Sequence, residues 1–192
     1  MAGTHSRLLS LRLGAAALAL TVAVGAAAAD GAFRLRSPTL AANGMLSNDQ
    51  VYSGFGCSGN NISPALTWKG FPSGTKSFAV TVYDPDAPTG SGWWHWVVYN
   101  IPASVTELPV GAGDPGGSLP AGAVQGHTDF GTSGFGGACP PAGDKPHRYI
   151  FTVYALKSEK ISVPDEASAA MIGFMIHANA LAKASLTARY GR

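Results

Sequence analysis

The sequence DPDAPTGSGWWHWVVYNIP at residues 84–102 joins two strand-forming segments through a short loop that contains two carboxylates and is followed by a histidine. The flanking segments, SFAVTVYD and WVVYNI, are rich in β-branched and aromatic residues that alternate as strands do. Asp84, Asp86 and His95 therefore lie where two buried strands end, and binding sites are often built at such edges. The alternative is a charged loop whose histidine makes a structural hydrogen bond.

A second segment also joins a proline-containing loop to a predicted strand with polar side chains at the junction. The sequence CPPAGDKPHRYIFTVYAL at residues 139–156 leads a proline-rich loop into a strand, with His147, Arg148 and Tyr149 where the loop ends. Eleven glycines and five prolines lie between Gly111 and His147, with almost no periodic apolar pattern. A connection of this length is uncommon in a compact domain unless it has a function. We expect an ordered loop that folds over the site.

These segments resemble the phosphatidylethanolamine-binding protein family, also called Raf-kinase-inhibitor-like. The resemblance rests on DPDAP, WHWVVYNIP, GGACPP and HRYIFTVYAL, and on CSGNNISPALTW at residues 57–68, which matches the bacterial exported branch. Several long motifs in the family's order make it specific, and it spans roughly residues 33–192. It implies a mainly β fold, a β-sandwich with a large central sheet, a smaller second sheet and a peripheral C-terminal helix.

The resemblance also implies a small cavity that binds phosphate-like or phosphorylated head groups. The residues that match its lining are Asp84, His95, His147 and Tyr149, with Asp86, Gly137 and Pro141 nearby. Histidine and tyrosine side chains donate hydrogen bonds to anions, and backbone N–H groups of a glycine-rich turn can form an anion nest. We expect both histidines, the tyrosine and N–H groups around Gly137 to donate to the ligand, and Asp84 to orient one imidazole.

Two details of the loops bear on ligand preference. The family resemblance suggests a cis peptide bond between Ala87 and Pro88, because DPDAP must turn sharply to place both aspartates at the cavity. Bacterial relatives commonly read GPCPP where this chain has Ala138 before the cysteine. Without that proline the loop is less rigid, which affects ligand preference more than the fold.

Residues 1–29 predict a secretory signal peptide. Arg7 and Arg12 precede the apolar run LGAAALALTVAVGAAAA, which ends in small residues and is free of acids. We expect cleavage before Asp30, a periplasmic or secreted domain at residues 30–192, and no stable membrane insertion. The alternative is a retained membrane anchor.

The charge of the predicted mature chain argues against nucleic-acid binding. Removal of residues 1–29 leaves eleven basic and eleven acidic residues, a formal net charge of zero. Non-specific binding to nucleic acid requires an array of Lys and Arg side chains against phosphates, and the sequence has neither a run nor a stripe of them.

The two cysteines, Cys57 and Cys139, both lie in the predicted mature chain. In an exported protein such a pair usually forms a disulfide, whereas in the cytosol two free thiols are more common. The loops CSGNNISP and CPPAGD that contain them resemble the family's and are expected to meet at one end of the sheet, so a disulfide would fasten the rim of the site.

The end of the chain predicts a helix followed by a strand. Pro164 and two acids supply a helix start, and apolar residues recur at helical spacing, which predicts a helix over residues 165–181. Residues 183–190 then alternate polar and apolar side chains, which predicts a strand.

We predict a non-catalytic binding protein without a cofactor, with inhibition or modulation of a protein partner, such as a protease or a host protein, as a further role. The alternative is a metal-dependent hydrolase that uses the Asp/His cluster. The sequence lacks an HExxH motif, and it lacks the GxSxG elbow of serine hydrolases, since Ser133 lies inside the long loop.

Overall fold

The computed structural model describes residues 31–192, together with Met1 and Gly3. The rest of the predicted signal peptide and its cleavage site before Asp30 lie outside the described residues. The strands are β1 (Arg34–Arg36), β2 (Ser53–Gly54), β3 (Cys57–Ser58), β4 (Leu66–Lys69), β5 (Ser77–Asp84), β6 (Trp93–Pro102), β7 (Glu107–Leu108), β8 (Val124–Gln125), β9 (His147–Leu156) and β10 (Ala180–Tyr190). The helices are a 3₁₀ turn (Asn48–Gln50) and α1 (Ala169–Asn179).

The strands form one large sheet and two small ones. The five-stranded central sheet has the order β10-β9-β5-β6-β8, the three-stranded sheet has the order β1-β4-β7, and β2 pairs with β3. Neighbouring strands within these sheets are antiparallel. This arrangement, with one α-helix in the described part of the chain, confirms the predicted mainly β fold.

The central sheet is buried on both faces, which explains the nearly continuous apolar run of β5. Phe78, Val80 and Val82 point to one face and pack with Leu66 and Trp68 of the three-stranded sheet in the main core. Side chains of a strand alternate between faces. The other face therefore carries a second core, formed by residues of β5, β6, β9 and α1.

The helix is shorter than predicted, while the last strand is confirmed and longer. Helix α1 begins at Ala169, because the Ser168 side chain caps it by accepting a hydrogen bond from the Met171 N–H. Residues 164–167 lie before this cap. The strand begins at Ala180, which pairs with Leu156 of β9, so cross-strand pairing ends the helix before residue 181. In the described residues we find no helix long and apolar enough to span a membrane.

Candidate functional site

A cavity of about 140 Å³ opens at the edge of the central sheet where β5 ends and where β6 and β9 begin. Asp84 is the last residue of β5, Trp93 is the first of β6, and these two residues pair across the sheet. Five of the predicted site residues line this cavity: Asp84, His95, Pro141, His147 and Tyr149. Its other lining residues are Phe55, Ala87, Pro88, Thr89, Trp93, Phe130, Cys139 and Pro140.

Asp84 and His147 form a buried ion pair in the cavity wall. The His147 Nδ1 atom donates to Asp84 Oδ2 at 2.7 Å, and the Asp86 N–H donates to Asp84 Oδ1 at 2.8 Å. The second ring nitrogen, Nε2, lies 3.3 Å from Oδ2 of Asp144. Burial opposes the charge of His147, but its hydrogen bonds and attraction to Asp84 and Asp144 outweigh burial and raise its pKa. Asp84 thus holds the imidazole in one orientation.

His95 is held differently. Its Nδ1 atom lies 2.7 Å from the carbonyl oxygen of Gly136, and the Gly136 N–H donates back to the His95 carbonyl at 2.8 Å. Because a carbonyl can only accept, Nδ1 carries the proton. Burial lowers the pKa of His95, and the nearby carbonyls and carboxylates only partly oppose this shift. The structure therefore favours an uncharged His95 ring whose Nε2 accepts hydrogen bonds, whereas we expected His95 to donate to the ligand.

Tyr149 supplies a hydrogen-bond donor. The residue is 2% exposed, and its ring centroid lies 5.0 Å from that of His95. Burial and the negative charge of Asp84 raise the pKa of Tyr149, so the phenol keeps its proton. Within residues 31–192 the Tyr149 hydroxyl has no hydrogen-bond partner. The oxygen atom is not fully buried, so it is accessible from the cavity.

Three N–H groups around Gly137 are already used within the protein and do not form the predicted anion nest, and Gly137 is not among the lining residues of the cavity. The N–H groups of Gly137 and Ala138 donate to Asn61 Oδ1 at 2.7 Å and to the Gln50 carbonyl at 2.9 Å. A Cβ atom on Gly137 would lie 2.5 Å from the Gln50 oxygen. The glycine therefore permits a close backbone approach, and its N–H is not available to a ligand.

We expect Asn61→Gly to destabilise the protein by about 1 to 3 kcal/mol, because it leaves the Gly137 N–H and the Phe135 carbonyl without their side-chain partner. Glycine suits the φ of 54° at this position, so the variant isolates the lost hydrogen bonds. Asn60→Gly is the matched control, because the Asn60 side chain bonds Asp49 at the exposed surface. Urea denaturation measures both variants, and equal stabilities would contradict this role of Asn61.

Asp86 lies outside the cavity, although the sequence placed it nearby. It accepts from Arg148 Nε at 2.8 Å and from Nη2 at 2.6 Å, in a bidentate ion pair. These hydrogen bonds lower its pKa from 3.8 to about 2. Asp86 and Arg148 border an adjacent charged groove, together with Asp144 and Arg189, and His147 lines both this groove and the cavity. The structure therefore places Asp86 beside the cavity and not in its lining.

The expected cis bond before Pro88 is wrong, since the described residues contain no cis peptide bond. The turn is made instead by Asp84, whose carboxylate accepts the N–H of Asp86 two residues on. This hydrogen bond is that of an Asx turn, which reverses the chain with trans peptides. Ala87 and Pro88 still reach the cavity wall.

An aromatic rim borders the cavity, and one of its members, Phe55, was not predicted from the sequence. Phe55 is 68% exposed and stacks on Phe130 with ring centroids 5.8 Å apart. Phe130 in turn lies edge-on to Trp93 and to His95, with both centroid distances 5.4 Å. Phe55 stands at a positive φ of 52° between two glycines, and this Gly-Phe-Gly turn was the available signal.

Two cross-links stabilise the rim by joining loops that are far apart in the sequence. The predicted disulfide between Cys57 and Cys139 is present in the structure. Arg192 joins the same two loops, since its Nε donates to the Pro140 carbonyl at 2.7 Å and its Nη1 to the Gly56 carbonyl at 3.0 Å. Both cross-links lie beside the wall formed by Cys139 and Pro140.

A small preformed cavity at the edge of a β-sandwich, lined by apolar groups and a few convergent polar ones, is typical of a ligand-binding protein. Residues 36–191 match the model of the family described as phosphatidylethanolamine-binding protein. The chain belongs to this family, which confirms that part of the resemblance.

Relatives and solved structures agree with this assignment. The chain is 61% identical to the UPF0098 protein YbcL of Escherichia coli (strain K12) over 160 residues, which are 83% of this chain and 87% of YbcL. It is 53% identical to YbhB of the same organism over 157 residues, 82% of this chain and 99% of YbhB. The crystal structure of E. coli YbcL, described as a new member of the mammalian PEBP family, superposes with a TM-score of 0.81 at 60% identity, covering 83% of this chain and 98% of that chain. A homologue from Chlamydia trachomatis gives a TM-score of 0.69 at 29% identity, covering 83% and 97%.

Proposed function

We propose that this protein is a non-catalytic binding protein whose cavity receives a phosphate-like or phosphorylated head group. The observation that supports this proposal is that one cavity contains both the fixed imidazole of His147 and the Tyr149 hydroxyl, which has no hydrogen-bond partner within residues 31–192. A cation and a neutral donor that converge in a buried site make charge-assisted hydrogen bonds to an anion. The cavity of about 140 Å³ is smaller than the roughly 300 to 1,000 Å³ of most drug-sized clefts, so it suits a small group.

Binding proceeds by exchange of partners at His147. In the free protein its Nε2 faces the carboxylate of Asp144, whose side chain is 44% exposed. A head group in the cavity competes with that carboxylate for the Nε2 proton, while Tyr149 donates a second hydrogen bond. Asp84 keeps its hydrogen bond to Nδ1 throughout and stabilises the imidazolium.

We propose binding without turnover. The alternative, a metal-dependent hydrolase, would need several ligands around one ion. Among the residues that the structure describes, no group of three or more His, Cys, Asp and Glu side chains is placed to hold a metal. The fixed imidazole of His147 and the hydroxyl of Tyr149 favour an anion receptor instead.

We also propose that the protein acts outside the cytoplasm, in the periplasm or after secretion. The sequence of residues 1–29 supports this location, and so does the disulfide, because such bonds persist in oxidising compartments. A protein partner there, such as a protease or a host protein, would meet the exposed rim that includes Phe55. Nucleic acid is not proposed as a partner, since the mature chain carries no excess of basic residues.

Calorimetric titration with phosphoethanolamine tests this function. We expect binding at about pH 6 that weakens towards about pH 8, because His147 loses its charge as the pH rises through its raised pKa. Ethanolamine is the control, since it lacks the phosphate and should not bind. Failure of phosphoethanolamine to bind at either pH, or equal binding of ethanolamine, would contradict the proposal.

A further inference from the structure

The cavity wall contains a hydrogen-bond acceptor as well as donors. His95 uses its Nδ1 proton on the Gly136 carbonyl, so Nε2 carries a lone pair whenever the ring is neutral. In the described part of the chain Nε2 of His95 has no hydrogen-bond partner, and this atom is not fully buried. His95 lines the cavity beside Tyr149, so a ligand there can reach this lone pair.

The surroundings of His95 oppose its conversion into a donor. The ring is 4% exposed, and burial disfavours its charged form. The charged and titratable groups around it are Asp84 at the end of β5, Asp129 in the long loop, and His147 and Tyr149 at the start of β9. The two carboxylates favour a charged imidazole, but Asp84 is already paired with His147 and Asp129 accepts the Trp94 N–H at 2.8 Å.

An oxyanion in this cavity therefore meets two kinds of partner. Oxygens near His147 and Tyr149 receive hydrogen bonds. An unprotonated oxygen near His95 Nε2 faces another lone pair. In a buried site two acceptors in contact weaken the free energy of binding. An oxygen that carries a proton turns the same contact into a hydrogen bond.

We propose that the cavity selects oxyanions that carry a proton, namely phosphomonoester monoanions, over sulfate monoesters of the same shape and charge. The P–OH group donates to His95 Nε2, while two other oxygens accept from His147 and Tyr149. This inference rests on the proposed function of the cavity. A phosphomonoester has a second pKa near about 6, so it offers this proton in mildly acidic and near-neutral solution. A sulfate monoester is the anion of a strong acid and has no proton to offer.

Phosphoethanolamine and 2-aminoethyl sulfate form a matched pair of probes. At about pH 5.5, where most of the phosphate ester is monoprotonated, the two differ by one proton. We expect the sulfate ester to bind at least about tenfold more weakly, because one hydrogen bond is replaced by a lone-pair contact. Equal affinities would overturn the inference and leave the proposed function standing. Absence of binding by both esters would instead refute the proposed function.

The variant His95→Gln assigns the selectivity to this residue. A glutamine amide offers either an acceptor or a donor to the cavity, so the preference for the phosphate ester should fall to within about threefold. His177→Gln is the control, because His177 lies on α1 and does not line the cavity, and it should keep the full preference. A folded His95→Gln variant that still rejects the sulfate ester would overturn the role of His95. The two-ester comparison on the unmodified protein tests the selectivity even if this variant does not fold.

Discussion

Serine at both Cys57 and Cys139 should lower the free energy of unfolding by about 2 to 4 kcal/mol. The two cysteines are separated by 82 positions, and a loop of that length loses much of its conformational freedom when it is closed in the unfolded chain. Arg192 still joins the same loops in the variant, so the folded rim should persist at lower stability.

Urea denaturation measures this effect, with the oxidised protein as reference. Ser58→Ala is a suitable control, because Ser58 is an exposed neighbour of Cys57 and its loss should change stability by less than about 0.5 kcal/mol. The reduced wild-type protein should resemble the double serine variant. Equal midpoints for the oxidised protein and the double variant would show that the disulfide contributes nothing.

His147→Gln should weaken the binding of phosphoethanolamine by about tenfold to a hundredfold. The glutamine amide can still donate to Asp84, but it carries no charge, and a hydrogen bond to a charged group contributes about 1.5 to 3 kcal/mol. Calorimetry at about pH 6 makes the comparison, with His177→Gln as the control. Unchanged affinity in a folded His147→Gln protein would place the anion elsewhere.

The same variant should change how stability depends on pH. Because the folded-state pKa of His147 is raised, its ion pair with Asp84 contributes fully below the unfolded pKa of about 6.5, and this contribution is lost as the pH rises through the folded value. Wild type should therefore lose stability over this range, whereas His147→Gln should show a flatter profile. Parallel profiles in thermal denaturation would contradict the ion pair's role.

The sequence predicted the mainly β fold because its strands are marked by strong alternation and sharp loops. It also brought together the five residues that line the cavity, since the motifs fall where strands end. A signal in the sequence was available for the position of Asp86 outside the cavity lining. In HRY, His147 and Tyr149 point to one face and Arg148 to the other, and Asp86 pairs with Arg148 on that other face.

Other features depend on contacts that one sequence does not show. The proton position of His95 is set by the Gly136 carbonyl, 41 positions away. The N–H of Gly137 is used by Asn61, 76 positions away, so a glycine-rich loop that looked like an anion nest serves backbone packing instead. Burial, which lowers the pKa of His95, likewise follows from the tertiary fold.

A crystal structure of the protein soaked with phosphoethanolamine at about pH 6 would show whether the cavity binds the phosphate group. We expect a phosphate group in the cavity, with oxygens about 2.7 to 3.2 Å from His147 Nε2 and from the Tyr149 hydroxyl, and with Asp84 still bonded to Nδ1. A phosphate bound at another site, or an empty cavity in crystals of a protein that binds the compound in solution, would contradict it.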